Sequence, residues 1–537
     1  MPTGPIDSFI EIYVQALHDQ NAAIFAGAGL SIPAGLVDWK GLLKNIARDI
    51  GLDVKKEEDL ITVAQFHVNE RRSRHQINQA LIHEFATRAK LTDNHKVLAS
   101  LPIRTYWTTN YDALIEESLK QAGKTPDVKI TVENLATTMP RRDAVVYKMH
   151  GDVSQPDKAV LTKDDYESYS TERHLFSMAL QGDLVSKTFL FIGFSFNDPN
   201  LSYILSRIRL LLGVNRRDHY CLLRKVQRHD FKTAADFHYA EARQELQVND
   251  LKRYGIIGLL LDDYAHYTEV LRRIAHRYKM ARVFISGSAA DYAPWGESKA
   301  QELIQELSKR LIAAGFGVVS GFGQGVGPYV VNGILAQLEH EGTQVLDDRI
   351  VLRPFPIAIA DATERKRRWK AYRQDMLAQA GVAVFLFGNK RDASGNLVPA
   401  DGMEEEFAIA SGKHLAVIPV GCTGSTAETL HKHVLDHFAD YFPASGYKRL
   451  FQDLKKSGTV QQVAARVVAL IERLRGRPGV PSFVVARGES HVMARRVFYS
   501  FHYKPDCVRA ARVSSTTSKI GSRKPSRSGT TMKGRDR

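Results

Sequence analysis

Cysteine is nearly absent. The 537 residues hold three, Cys221, Cys422 and Cys507, and no two of them form a Cys-x-x-Cys pair. That excludes a disulfide framework and a four-thiolate zinc site. Long hydrophobic runs are missing as well: no stretch approaches the roughly 18 uninterrupted apolar residues of a membrane-spanning helix, so no membrane partner is expected. The opening residues, MPTGPIDSFIEIYVQALHDQ, lack a basic start followed by an apolar run, so no secretory leader is expected. These absences point to the reducing cytoplasm as the expected compartment. No short-period repeat is present. With 44% hydrophobic and 25% charged residues, the composition is that of a globular chain and excludes a coiled coil, a collagen-like fibre or full disorder. The length exceeds what one compact core fills, so at least two domains are expected.

The net charge of +15 reads as nucleic-acid affinity until it is located. Residues 477–537 hold 14 Lys or Arg against three acids, Glu489, Asp506 and Asp536, so +11 sits there and the other 476 residues carry only +4. The last part, SSTTSKIGSRKPSRSGTTMKGRDR, has almost nothing to bury. A basic, disordered tail over 477–537 is expected, a solvated appendage rather than a specific nucleic-acid binder, with loose polyanion contact as the alternative.

The body alternates short apolar runs with helical stripes. Phe9, Ile10, Tyr13, Val14 and Leu17 recur at helical spacing, and AAIFAG then forms a run fit for a buried parallel strand. WKGLLKNIARDIG, DALIEESLKQAG, NLSYILSRIRLLLG and TEVLRRIAHRY read as helices. IRTYWTTN, AVVYKMHG, KTFLFIGFSF, HYCLLR and IIGLLLD read as strands. Such alternation over about 280 residues predicts an α/β layered domain with a mainly parallel sheet. A second cycle starts at ARVFISGS. It continues through the helix SKAQELIQELSKRLIAAG, the strand and Gly-rich loop FGVVSGFGQGVG, and the unit GVAVFLFGN, MEEEFAIASG and HLAVIPVG. The boundary falls near 278–281 with no Pro- or Gly-rich linker, so close packing of the halves is expected.

Four polar motifs follow strand-like runs, where open α/β sheets bind ligands. In GAGLS, Gly27 and Gly29 allow a tight turn and close approach of a pyrophosphate, favoured by a following helix N-terminus. A purely structural turn is as good a reading of so short a pattern. Ser31 adds a hydroxyl. TTNYD holds Asn110, for which a helix N-cap is the plain alternative. MHGD holds His150, whose near-neutral pKa class suits a general base, with a structural role as the commoner reading of a lone His. GFSFNDPN ends a further strand and reads as an Asn/Asp/Pro turn.

Together, GAGLS, TTNYD, HGD and GFSFND, in this order, resemble the sirtuin NAD-binding catalytic domain over about residues 7–278. The resemblance implies NAD+ as substrate. It places Asn110 and His150 at the nicotinamide ribose as catalytic residues, with Asp112 orienting that end. It implies NAD contact at Gly27, Ala28, Gly29, Ser31, Thr109, Asn110, Asp112, Gly193 and Ser195. Deacylating sirtuins carry two Cys-x-x-Cys pairs on a structural zinc, and this chain has none. Water is therefore the expected acceptor, and no metal is expected. NAD-dependent deacylation remains the alternative activity, and a catalytically inactive NAD or ADP-ribose sensor the alternative class.

The second half carries FISGS, with Gly287 and Ser288, and GFGQGVG, two loops able to cradle phosphate or simply to turn. It resembles the SLOG superfamily of nucleotide-ligand sensors. GNKRDASGNLVPADGMEEEF lacks the Pro-Gly-Gly and Thr of that group's phosphoribohydrolases, so the resemblance implies ligand binding rather than hydrolysis. A sirtuin-like domain followed by a SLOG domain resembles the NAD-hydrolysing effectors of Thoeris antiphage systems, over roughly residues 1–475. That resemblance implies a cytoplasmic homotetramer activated by a cyclic ADP-ribose isomer from a partner TIR-domain protein. It points to Gly287, Ser288, Arg373, Lys390 and Glu406 as activator contacts, with Glu405 as the alternative acid. The expected organisation is a sirtuin-like NAD-hydrolase domain over 1–279, a second Rossmann-like SLOG domain over 280–476 and the tail over 477–537.

Overall fold

The five residues Ala22–Ala26 are all buried, as a strand covered on both faces requires. They form β1, the centre of a parallel sheet in the computed structural model. The structure describes residues 4–476 except 87–88, 197, 214, 343–348, 357 and 443–444. The basic segment 477–537, read above as a disordered tail, lies outside the described residues.

β1 is followed by β2 (Thr105–Thr108), β3 (Pro126–Lys129), β4 (Ala144–Lys148), β5 (Thr188–Ile192), β6 (His219–Arg224) and β7 (Ile256–Leu261). Their order in the sheet is β3-β4-β2-β1-β5-β6-β7, with every pairing parallel. Succession runs to one side of β1 as far as β4 and then crosses to β5 on the other. This makes β1 the switch point where open α/β sheets leave a crevice at their carboxyl ends. Helices cover both faces. Pro5–His18 packs Phe9, Ile10, Tyr13 and Leu17 on one side, and His174–Ser186 and Pro199–Leu212 pack Phe176, Leu180, Leu201 and Ile204 on the other.

A second parallel sheet uses β8 (Arg282–Ser288), β9 (Gly317–Ser320), β10 (Ile350–Leu352), β11 (Val382–Phe387) and β14 (Ala416–Pro419) in the order β10-β9-β8-β11-β14. Between β11 and β14 an antiparallel hairpin pairs β12 (Asn389–Arg391) with β13 (Leu397–Pro399). The fold class is thus two successive Rossmann-like α/β sheets. β3, β10 and the hairpin escape the hydrophobic pattern. PDVK begins with proline and alternates charge, and the hairpin strands carry Lys390, Arg391 and the partly exposed Leu397. β3 is nonetheless largely buried, its Asp127 and Lys129 pairing with each other, and Ile350 and Val351 of β10 pack against the core, whereas most of the hairpin is exposed or half-buried.

The buried core of the first half reaches Tyr278 and that of the second starts at Met280. Helix Ala265–Lys279 runs into β8 with only Met280 and Ala281 between them. That joint is pressed from the side. A Cβ added at Gly381 would stand 2.6 Å from the Met280 amide nitrogen and 2.7 Å from the Lys279 carbonyl carbon. Backbone cannot move aside as a side chain does, so Gly381→Ala is expected to cost about 1–3 kcal/mol, the usual penalty for overpacking. Gly182, inside helix His174–Ser186, meets nothing within 4 Å. Gly182→Ala should be neutral or stabilising by up to ~1 kcal/mol. Denaturant midpoints of the two variants check this, and equal midpoints would refute the steric argument.

Candidate active site and second ligand site

One register row sets the site. Ile192 pairs with Ala26, Ala26 with Thr108, and Thr108 with Lys148, so the chain leaves four adjacent strands at one level. Beyond that row come Gly193, Gly27, Thr109 and Met149, each within one of the four motifs. Neighbouring strands lie about 4.8 Å apart, so Asn110 and His150 leave from adjacent strand ends.

The glycines let two loops cross. Gly27 donates its N–H to Ile192 O (3.0 Å) and Gly29 to Gly193 O (2.9 Å). A Cβ on Gly27 would lie 2.5 Å from Gly193 O, and one on Gly193, whose φ is +64°, would collide with the Leu30 amide. The chain then makes two 3-10 turns, Ala28–Leu30 and Ile32–Ala34, and the first α-helix after the loop starts only at Trp39, capped by Asp38. The expected helix N-terminus directly after GAGLS is therefore absent, because Pro33 and Gly35 break the segment into turns. A cleft of about 250 Å³ opens beside Gly29 and Leu30, walled by Thr92–Asn94 and by Tyr264, Tyr267 and Thr268.

Asn110 is 7% exposed and does not cap a helix. Its Nδ2 donates to Gly27 O (3.1 Å) and to Ser31 Oγ (3.0 Å), which binds the second motif to the first. Thr109 is half-buried, its N–H 3.4 Å from Ala26 O, while Ser195 is exposed. Asp112 Oδ1 accepts from the Leu114 N–H just before the next helix, whose N-cap is Ala113, and its buried Oδ2 has no hydrogen-bond partner.

His150 is 2% exposed, with Tyr166 and Tyr169 edge-on to its ring. Its Nε2 lies 3.0 Å from Asp198 Oδ2, an ion-pair contact whose geometry does not make a hydrogen bond, and its Nδ1 likewise has no hydrogen-bond partner in the protein. Asp198 was legible only as a turn residue. It is the N-cap of helix Pro199–Leu212, its Oδ1 accepting from the Leu201 N–H at 2.9 Å. The Asp-Pro pair ahead of an apolar helix is the signal that would have found it. Burial works to raise the Asp198 pKa, and His150 with the Leu201 and Tyr166 hydrogen bonds outweighs it, leaving the carboxyl below its ordinary range.

Beneath the site lies a cation that the pattern of the strand AVVYK hides. The fully buried Lys148 Nζ contacts Asp152 Oδ2, Glu116 Oε1 (3.3 Å) and the carbonyls of Tyr111 and Asp112. It thereby ties the Asn110 segment to the His150 segment. Replacing it by Met leaves Glu116 and Asp152 buried without a counter-ion. Lys148→Met is expected to cost about 3–5 kcal/mol, read as a lowered denaturation midpoint. The triple change with Glu116→Gln and Asp152→Asn should recover part of that loss; an unshifted midpoint in the single variant refutes the role.

The second half repeats the crossing. A Cβ on Gly323 would collide with Gly287 O at the end of β8, and one on Gly325 with Ala289 O just past it, so the loop after β9 touches the end of β8 backbone to backbone. Ser288 Oγ donates to Asn389 O (3.0 Å), and Asn389 Oδ1 accepts from the Ala290 and Asp291 N–H groups (2.8 and 2.9 Å). Arg373 stacks on Phe355 and Trp369, donates to Glu405 Oε2 (2.6 Å), and stands 3.4 Å from Glu406 Oε1. Glu406 is buried and accepts from Ser286 Oγ (2.6 Å); burial pushes its carboxyl up against the pull of Ser286 and Arg373. Glu405 is 28% exposed at its side chain. Lys390, on β12, pairs with Asp401. The two glutamates thus divide between a buried brace and an open edge. Among the described residues no group of three or more His, Cys, Asp or Glu could hold a metal ion, and no helix is long and apolar enough to cross a membrane.

Two successive Rossmann-like sheets are the architecture of a sirtuin-like domain joined to a SLOG domain, and comparison with known proteins gives the same two domains in that order. The SIR2-like domain family matches residues 104–247, and the Sir2- and TIR-associating SLOG family matches 266–474. Similar over nearly their whole lengths are three proteins named NAD(+) hydrolase ThsA. That of Bacillus cereus (strain MSX-D12) is 47% identical, covering 88% of this chain and all of the relative; that of Cytobacillus dafuensis is 45% identical, covering 87% and 96%; that of Acinetobacter baumannii (strain 532279) is 44% identical, covering 83% and 94%. The chain belongs to the ThsA family of NAD(+) hydrolases.

Proposed function

We propose that the chain hydrolyses NAD+ to nicotinamide and ADP-ribose at the crevice over β4, β2, β1 and β5. The observation that carries this is the single register row, which aligns the His150, Asn110, glycine-loop and Gly193 segments along one edge. A dinucleotide laid along it would have its nicotinamide ribose at Asn110 and His150 and its pyrophosphate at Gly27–Ser31. Asn110 is pinned by its Nδ2, which leaves the carboxamide oxygen to accept from a water or ribose hydroxyl. The C1′–N bond breaks, its electron pair neutralises the departing pyridinium, and the oxygen of water bonds to C1′. His150 takes the proton that water gives up.

The second half gates the first. Its ligand is a cyclic ADP-ribose isomer, made by a partner TIR-domain protein, and the setting is NAD depletion during antiphage defence by a cytoplasmic homotetramer. We place the domains at 1–279 and 280–476. Arg373 offers a planar fork to one phosphate and Lys390 a point charge to the other, with Gly287 and Ser288 supplying loop backbone. Glu405 is the better acid for ligand contact than Glu406, because Ser286 already occupies Glu406. The two-residue joint between helix Ala265–Lys279 and β8 gives the gate a short mechanical route, since that helix also walls the cleft beside Gly29.

His150→Ala and Asn110→Ala are each expected to lower NAD+ turnover at least ~100-fold, within the range of general-base contributions, with unchanged melting. Wild-type turnover in both would refute the site. Arg373→Ala and Lys390→Ala should abolish activation across a panel of cyclic ADP-ribose isomers while leaving NAD+ binding intact. Calorimetry and turnover on the same samples check this, and unchanged activation would place the gate elsewhere.

A further inference from the structure

In the sheet order β5 is three positions from β4, about 14 Å at the usual strand spacing. Yet the carboxylate that follows β5 reaches the imidazole that follows β4: Asp198 Oδ2 lies 3.0 Å from His150 Nε2. This contact is built. Asp198 Oδ1 is fixed by the Leu201 N–H, and the N-terminus of helix Pro199–Leu212 favours a negative charge at that place. Tyr166 OH donates to Oδ2 at 3.3 Å, and the Tyr166 and Tyr169 rings stand edge-on to the imidazole, confining its rotation. Neither ring nitrogen of His150 makes a hydrogen bond within the protein, but only Nε2 has a carboxylate, Asp198 at 3.0 Å, and Nδ1 is left buried. A buried ring nitrogen without a partner is costly unless a substrate or water meets it.

We propose that Asp198 is a positioning residue for the hydrolysis: it holds the proton of His150 on Nε2, so that Nδ1 is the atom that accepts the proton from the attacking water. A neutral imidazole has one donor and one acceptor nitrogen, and the partner of one decides the role of the other. This rests on the reading of His150 as the base at the nicotinamide ribose. The groups against the imidazole are Asp198, Tyr166 and Tyr169; Tyr111 interacts with Asp198 and Tyr166, Arg173 donates to the neighbouring Met149 carbonyl, and the Arg74–Asp165 pair acts on Tyr111.

The test is NAD+ turnover by the full chain, followed by fluorescence of 1,N6-etheno-NAD+, for wild type, His150→Ala, Asp198→Asn, Asp198→Ser and Asp198→Glu. Asn and Ser cap helices about as well as Asp, so both variants keep the helix start and lose the carboxylate. Asp198→Asn and Asp198→Ser are expected to lower kcat between about tenfold and hundredfold, part of what a general base contributes. KM should stay within about twofold and the melting midpoint should not move. Asp198→Glu should restore part of kcat. In Asp198→Asn the acid limb of the kcat/KM profile should move to lower pH, because a negative charge facing the base has gone. Unchanged kcat, a loss confined to KM, or faster turnover than wild type would each overturn the assignment, the last by making the pair a lock rather than a brace. Full turnover in His150→Ala would instead remove the base reading itself, whatever Asp198 does.

Discussion

Both halves depend on one steric constraint, the crossing of two strand-end loops at backbone distance. In the first half Gly27 and Gly29 meet Gly193, and in the second Gly323 meets Gly287. No Cβ fits between them, so the sequence requirement for glycine there is packing before it is ligand chemistry. The crossing has a functional consequence all the same. It draws the ends of β1 and β5, or of β8 and β9, into one ridge, and the polar residues beyond are presented from that ridge at fixed spacing. A glycine pattern chosen for phosphate approach and one chosen for loop crossing look alike in sequence. Only the second explains why the Gly27 and Gly29 N–H groups are already spent on the β5 side.

What was legible in the sequence was whatever burial dictates. The strands around Ala22–Ala26, Thr188–Ile192 and Val382–Phe387 are apolar because both faces are covered, and the alternation with helical stripes gave the fold class. β3 was illegible because it buries an Asp127–Lys129 ion pair where a strand is expected to be apolar, β10 because it is only three residues long, and the β12–β13 hairpin because pairing rather than burial holds it. The site divides in the same way. Asn110 and His150 stand in short polar motifs that break apolar runs, and the resemblance to sirtuins rests on them. Asp198 was hidden as an ordinary Asp-Pro turn, since a helix cap and a partner for histidine make the same demand on sequence. The choice between Glu405 and Glu406 could not be made from the helix pattern. Adjacent positions on a helix differ by about 100° in direction, and which of them faces Ser286 depends on the distant β8.

Each half also buries one cation between two carboxylates, with different results. Lys148 is wholly enclosed by Glu116 and Asp152, and burial, which works against its charge, is outweighed by the two acids. It is a structural rivet: nothing reaches it from solvent. Arg373 is also mostly buried, but one of its two acids, Glu405, stays at the edge, and its flat face lies on Phe355 and Trp369. An anion arriving from solvent can exchange with Glu405 without stripping the guanidinium of all compensation, because Glu406 remains behind it. Exchange of one anion for another is far cheaper than desolvating a bare charge, and it leaves Glu405 free to find a hydroxyl of the newcomer.

That exchange bears on how the halves can communicate. Glu406 is hydrogen-bonded to Ser286 on β8, so a change in the pull of Arg373 is felt first by that strand. β8 is continuous, through Met280 and Ala281, with helix Ala265–Lys279, whose opening residues wall the cleft beside Gly29 and Leu30. Gly381 packs its backbone so closely against Lys279 and Met280 that no Cβ fits between them. A flexible linker would absorb a shift of the strand; a joint of two residues leaves less chain to absorb one. Coupling of this kind requires that the ligand favour one position of the strand over the other. If the proposed activator's phosphate displaces Glu405 from Arg373, the asymmetric pair of glutamates would supply such a preference, because Glu406 keeps Ser286 while Glu405 changes partner.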